Sequence, residues 1–402
     1  MEMVLEFLRD VLSQPALLIG IMSCIGLIAL KRPFHKVMTG TLKPILGYLM
    51  LAAGAGVIVN NLDPLGKMIE HGFHITGVVP NNEAIVAVAQ KVLGVETMSI
   101  LVVGLLMNLC IARFTKFKYV FLTGHHSLFM ACLMSAVLGT AGLSGMELIL
   151  VGGFLMGAWS AISPAIGQSY TSKVTDGDEI AIGHFGSLGY YLSAWVAKYV
   201  GKADDSTEDI EIPEKWGFLR DSTLSTALTM IVFYLIAAFA AGSEFVATLS
   251  GDMSPYLYAV MSAMNFAVGV TIVYSGVRMI LGDLIPAFQG IATKIIPNAI
   301  PAVDCAVFFT YAPTAVVLGF ISSFIGGIIG MLILGAVGGV LIIPGLVPHF
   351  FCGATAGIYG NATGGRRGAA VGAFLNGLAI TFLPAMALPV LGQLGFQNTT
   401  FG

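Results

Sequence analysis

Charge is what this chain has least of. Only 10% of its 402 residues are Asp, Glu, Lys or Arg, while 56% are hydrophobic and the mean hydropathy is +0.89. A soluble domain of this length keeps about a quarter of its residues charged, so the scarcity excludes an aqueous fold and makes the bilayer the solvent. The formal net charge of −3 leaves no basic excess for a nucleic-acid partner. Cysteine is sparse as well. Cys24, Cys110, Cys132, Cys305 and Cys352 all sit inside apolar runs, with no CxxC among them, which reads as small hydrophobic packing rather than bridges or metal ligation. HExxH, P-loop and GxSxG patterns are absent too, so the chain shows no phosphoryl-transfer or hydrolytic machinery of its own, and no metal site or cofactor is expected. Residues 1–13 lack a basic n-region, carrying Glu2, Glu6, Arg9 and Asp10. The first apolar run, Pro15–Leu30, is therefore expected to be a retained helix rather than a cleaved signal.

What the chain does have is apolar length, interrupted by fifty glycines and sixteen prolines. That mixture suits close-packed, partly broken membrane helices, whose neighbours can re-satisfy interrupted backbone. Apolar runs near 20 residues predict crossings at about 15–30, 44–61, 92–112, 119–139, 146–168, 222–243, 257–281, 312–333, 335–351 and 368–391,. Shorter runs at 74–90, 180–197 and 298–311 hold Pro, Asn, Gly and acids and suit re-entrant hairpins. Asp63–Gly72 and Ile285–Ile296 look amphipathic and are expected at an interface,. The one long hydrophilic stretch is Lys198–Asp221, read as a solvated linker or as part of a docking surface for a cytoplasmic partner.

Two segments 221 residues apart read almost alike: Val79-Pro80-Asn81-Asn82-Glu83-Ala84-Ile85-Val86 and Ile300-Pro301-Ala302-Val303-Asp304-Cys305-Ala306-Val307. A second pair, Val151–Gly157 and Val371–Gly377, matches at an offset of 220, and Pro164 and Pro384 follow at the same spacing. Shared spacing points to an internal duplication. Its hand follows from charge. Lys31, Arg32, Lys36, Lys43, Arg113, Lys116 and Lys118 mark basic turns in the first half, and the equivalent turns around 252–264 and 334–339 contain no Lys or Arg. Arg366 and Arg367 fall where the first half has no basic residue. One copy is basic where the other is not, as an inverted repeat requires under the positive-inside rule. This puts the N-terminus outside and Lys198–Asp221 in the cytoplasm. The expected organisation is a first repeat at 1–168, a re-entrant segment and cytoplasmic loop at 169–221, and a second, inverted repeat at 222–402.

Intramembrane acids mark transport sites by default, so Glu83 and Asp304 lead the candidates. The histidines follow: Thr123-Gly124-His125-His126 opens one apolar run, and Gly183-His184-Phe185-Gly186 sits in a short broken one. A glycine before each histidine permits close backbone approach. Imidazole both donates and accepts and carboxylate accepts, which together match a polyol or sugar. His126 points away from His125 on a helix and ranks behind it. His35, His71 and His74 read as interfacial, and His349 as a weak candidate. The same parts also serve an ion-coupled secondary transporter of a small polar solute. A membrane metalloenzyme and a channel are the remaining readings.

At Leu122-Thr123-Gly124-His125, Val174-Thr175-Asp176-Gly177, Ile182-Gly183-His184, Gly276-Val277-Arg278-Met279, Ala302-Val303-Asp304-Cys305-Ala306 and Ile342-Ile343-Pro344-Gly345 the chain resembles the ascorbate-specific IIC permease of the bacterial phosphoenolpyruvate-dependent sugar phosphotransferase system, in the ascorbate–galactitol superfamily. The resemblance implies an all-α polytopic protein of the bacterial cytoplasmic membrane. It also implies two inverted five-helix repeats with re-entrant hairpins and interfacial amphipathic helices, split into a scaffold (V-motif) domain and a mobile core. A homodimer surrounded by lipid, an elevator mechanism, L-ascorbate or a related polyol as substrate, and phosphorylation by a separate cytoplasmic IIB protein belong to the same expectation. His125, His184 and Asp304 match family substrate positions, and so does a glycine-rich turn at Ala53-Gly54-Ala55-Gly56. With Glu83, Asn82, Phe129 and Phe185 they form the expected substrate site. Phe129 and Phe185 stand where the compared member has glutamine, and Glu83 where it has tyrosine, which changes the hydrogen bonds on offer. The family usually has one further crossing helix, so the second repeat is expected to lack its last one.

Overall fold

A computed structural model describes residues 10–11, 14–74, 78, 82–177, 179–210 and 222–392. Helices dominate, because in hydrocarbon a helix satisfies its backbone donors and acceptors internally. In chain order they are α1 (Pro15–Ala29), α2 (Phe34–Gly72), α3 (Asn82–Phe114), α4 (Gly124–Thr140), α5 (Gly145–Val174), α6 (Leu188–Val200), α7 (Ser222–Ala241), α8 (Ser243–Ser250), α9 (Pro255–Lys294), α10 (Pro313–Ala336) and α11 (Leu346–Gly392). Among the described residues six of these carry stretches long and apolar enough to cross a membrane, and α7 with α8, bent by 117°, makes a seventh if the pair is one span.

Three short strands, β1 (Tyr119–Phe121), β2 (Ala181–Ile182) and β3 (Ile300–Val303), form a parallel sheet in the order β1-β3-β2. Hydropathy alone does not anticipate it. Strand β3 pairs through Tyr119–Ile300, Val120–Pro301 and Phe121–Ala302 on one side and through Ala181–Ala302 and Ile182–Val303 on the other. The free edges would be costly in an apolar interior. Asn108 of α3 braces β1, accepting from Phe121 N at 3.0 Å and donating to the Tyr119 carbonyl at 3.1 Å. Gln168 of α5 donates to the Ile180 carbonyl just ahead of β2 at 3.0 Å. A 3-10 turn, Cys305–Thr310, follows β3 directly.

The structure corrects several expectations. Residues 335–351 are not one crossing: they hold the end of α10, an irregular stretch and the start of α11. Asp63–Gly72 continues α2, and Ile285–Lys294 continues α9, across Pro64 and Pro286. Each proline falls at the start of the segment, yet the helix runs on through it without a separate cap. Ala53–Gly56 lies inside α2 rather than in a turn. The stretches 180–197 and 298–311, expected as re-entrant hairpins, are built of a short strand followed by helical turns.

Helices α2 and α9 are 39 and 40 residues long, begin 221 positions apart and pack along each other. Their contacts are reciprocal. A Cβ on Gly47 would meet Gly276 O at 2.9 Å and one on Gly276 would meet Gly47 O at 2.6 Å; Gly54 and Gly269 repeat the relation at 2.8 and 3.0 Å. The order of these pairs makes the two helices antiparallel. Around them gather α1 and α7. Helices α3, α4 and α5 pack together, as do α6, α10 and α11; β1 and β2 rest on α5 and β3 on α9. Helix α11 breaks at Gly365 (φ 60°, ψ −151°), where a side chain would strike the Lys202 and Asp205 carbonyls at 2.3 Å. The strap Gly201–Ile210 docks there. Arg366 donates to the Ser206 and Asp209 carbonyls at 3.1 and 3.3 Å and pairs with Asp205 at 3.3 Å. Asn361 accepts from Thr207 N at 2.8 Å.

Candidate functional site at the strand ends

The parallel sheet delivers three of the sequence's marked motifs to one place. Each strand ends in one of them: β1 in Thr123-Gly124-His125-His126, β2 in Gly183-His184, β3 in Asp304-Cys305. Parallel pairing forces all three chains to leave the sheet in the same direction. Each then enters a helical turn whose first N–H groups face back toward the strand ends, a setting that favours oxygen acceptors. Gly183 makes the convergence possible. Its N–H donates to the Val303 carbonyl at 2.7 Å, and a Cβ there would lie 2.6 Å from Ala302 O.

His184 is buried, 5% exposed, and its Nδ1 accepts from Gly186 N at 3.1 Å. A neutral imidazole whose Nδ1 accepts carries its proton on Nε2, so His184 presents a donor. Asp304, 7% exposed, caps the 3-10 turn by accepting from Ala306 N at 3.0 Å. A carboxylate only accepts hydrogen bonds, so Asp304 is an acceptor at the end of β3. Donor and acceptor stand on adjacent strand ends, which suits a ligand whose hydroxyls do both.

The histidine that meets His184 is His126, 8% exposed, with ring centroids 4.0 Å apart. His126 lies in the first turn of α4, and helical periodicity alone does not say that this turn faces His184. Phe129 and Phe185 flank His126 at 5.9 and 5.6 Å, and Phe185 lies near-parallel to His184, at 8° and 5.7 Å. Trp159 Nε1 donates to the Phe185 carbonyl at 3.3 Å and fixes that wall. Both phenylalanines therefore line the imidazole pair. Cys352 of α11, with Sγ 4.0 Å from His184 Nε2, and Tyr190 of α6, 5.3 Å ring to ring, complete the surroundings. Tyr48 of α2 is within electrostatic range of Asp304. Sequence reasoning singled out none of these last three, since a tyrosine or cysteine in an apolar run carries no spacing signal.

The side chains of Ala55, Asn82, Glu83 and His125 lie outside the described residues. Gly54 belongs to the α2–α9 crossing, against Gly269 and Val273. His349 is apart from the strand ends' imidazole pair in its bonding, with Nδ1 2.9 Å from Ser323 Oγ. Among the described residues no group of three His, Cys, Asp or Glu is arranged to hold a metal ion.

Residues 10–402 match the family described as PTS system sugar-specific permease component (EIIC-GAT). The chain is 28% identical, over 90% of its length, to the ascorbate-specific PTS system EIIC component of Mycoplasma pneumoniae. It spans 63% of that relative's length. Family and apolar helices agree on a multi-pass protein of the cytoplasmic membrane. The chain belongs to the EIIC-GAT family of PTS sugar-specific permease components.

Proposed function

We propose that the chain imports L-ascorbate or a related polyol, which it binds at the strand ends and which a separate phosphorylated IIB protein phosphorylates. The observation that carries this reading is the convergence of His184 and Asp304, one donor and one acceptor, on neighbouring ends of a sheet buried among membrane helices. Aliphatic hydroxyls pair with both. The apolar faces of Phe129 and Phe185 cover C–H surface, and the absence of a nucleophile motif fits chemistry brought by a partner. The relative's ascorbate specificity names the first ligand to try. Two amides fewer than the compared family member widen the choice to other polyols.

The mechanism we infer is alternating access by a rigid core that moves against a scaffold within a homodimer. Its support is the uneven packing: α2 with α9, α1 and α7 on one side, and α3–α6 with α10 and α11 on the other, joined where α9 meets β3 and the 3-10 turn and where α2 meets α11. An inverted repeat is supported by the reciprocal, antiparallel Gly47–Gly276 and Gly54–Gly269 contacts, since a two-fold axis in the membrane plane exchanges the two pairs. The Val78–Ile342 bridge joins the halves a second time, with the strand-bearing and helix-preceding roles exchanged relative to β1–β3. Position 304 counted back by the repeat offset is Glu83, the second acid of the proposed site.

The test is uptake in proteoliposomes loaded with phosphorylated IIB protein and supplied with labelled L-ascorbate. Accumulation of phosphorylated ligand, unaffected by collapsing proton and sodium gradients, is expected. Accumulation of free ligand that vanishes with an ion gradient would establish the coupled-transporter reading instead.

A further inference from the structure

Tyr190 is fully buried, 0% exposed, in the first turn of α6. Buried phenols ordinarily donate their proton, and its two aromatic neighbours do have partners. Tyr191 donates to the Ser163 carbonyl at 2.8 Å, and Tyr359 shares a 2.7 Å bond with Thr171. The Tyr190 hydroxyl has no oxygen or nitrogen partner among the described residues. Its polar neighbour is the Cys352 thiol, with Asp304 and Cys305 also within electrostatic range. A thiol accepts hydrogen bonds weakly, so this phenol is left without a strong acceptor, its ring 5.3 Å from that of His184. Cys352 Sγ is 4.0 Å from His184 Nε2, the same nitrogen that presents the donor. Phenol, thiol and imidazole N–H thus meet around one point.

We propose that Tyr190 and Cys352 form a second wall of the ligand site, in which the Tyr190 O–H donates to one ligand oxygen and so selects for ligands that carry it. The inference rests on the reading of the strand ends as a sugar-like site and adds a specificity-determining contact to it. A ligand without that oxygen leaves the buried phenol without a strong acceptor, and sites built around a hydroxyl reject such analogues strongly. The sulfur, a soft and poor acceptor, keeps the phenol oriented without competing for its proton.

The experiment is calorimetric titration of purified wild type and Tyr190→Phe with L-ascorbate, a panel of pentitols and hexitols, and the monodeoxy analogues of whichever binds. The substitution removes one oxygen and keeps the ring's contacts with His184 and Tyr359. About fivefold or greater weakening of the ligand is expected, the scale of one lost neutral hydrogen bond, with one monodeoxy analogue bound equally by both proteins. The ligand-free melting temperature should hold or rise, because an unsatisfied hydroxyl has been taken out of the core. Unchanged affinity in Tyr190→Phe overturns this contact and leaves the strand-end site standing. A wild type that binds no member of the panel overturns the polyol reading and this inference with it.

Discussion

At Gly183 a methyl group would stand 2.6 Å from the Ala302 carbonyl oxygen, and backbone cannot yield as a side-chain tip can. Gly183→Ala is expected to pry β2 from β3, destabilise the protein by about 1–3 kcal/mol and move His184 out of register. Thermal melting in detergent, with Gly186→Ala as the control, checks this. The control's nearest neighbour is His184 Nδ1 at an ordinary 3.4 Å, so it should melt like wild type. Single residues were also where the sequence was most and least informative. Asp304 and His184 could be picked out because acids and glycine-flanked imidazoles are expensive and rare in apolar runs. Helical periodicity ranked His126 low, because its ring partner His184 comes from a different element. Tyr190 and Tyr48 carried no signal at all, since tyrosines are common in membrane helices.

The helical elements owe much of their geometry to how their ends are satisfied. Helix α10 has no capping side chain of its own. Its first N–H groups are bound from outside, by Glu208 of the strap, which accepts from Thr314 N at 3.1 Å and Ala315 N at 3.0 Å. A carboxylate at a helix N-terminus is favoured both by the orphan donors and by the dipole. Glu208→Ala should destabilise the protein by about 0.5–2 kcal/mol, the range for loss of a helix cap, and expose residues 201–210 to limited proteolysis. Unchanged melting and cleavage would assign the strap no role in holding α10. Gly365→Ala is expected to be worse, since its φ of 60° sits beside two carbonyls and backbone strain of this kind costs about 1–3 kcal/mol before any clash. Hydropathy found most of these helices and placed their apolar stretches. It merged or split them wrongly where breaks are local, as at 335–351, because a glycine-rich irregular stretch remains as apolar as the helices beside it. The sheet was illegible because strands of two to four residues are too short for any period to show.

Across the whole molecule, two long helices of nearly equal length cross antiparallel through reciprocal glycine pairs, and an inverted repeat predicts that their starts lie on opposite membrane faces. Lys36→Cys and Asp252→Cys, each in a background without native cysteines, should therefore differ in labelling by a membrane-impermeant maleimide in sealed vesicles of one orientation. Equal labelling of both would remove the inversion. The offset of 221 residues and the uneven basic turns are the sequence's argument for that hand, because charge asymmetry is written directly in sequence. Which helices would group together was not readable, since glycine contacts are defined by partners that only the fold brings near. The strand-end site is the feature on which the functional reading stands. The direct measurement is titration of L-ascorbate and the polyol panel into wild type and Asp304→Asn, with melting temperatures taken alongside. The predicted result is saturable binding by wild type and at least about tenfold weaker binding by the folded variant, the scale of one lost hydrogen bond to a charged acceptor. Equal affinity in both proteins would contradict a ligand site centred on Asp304.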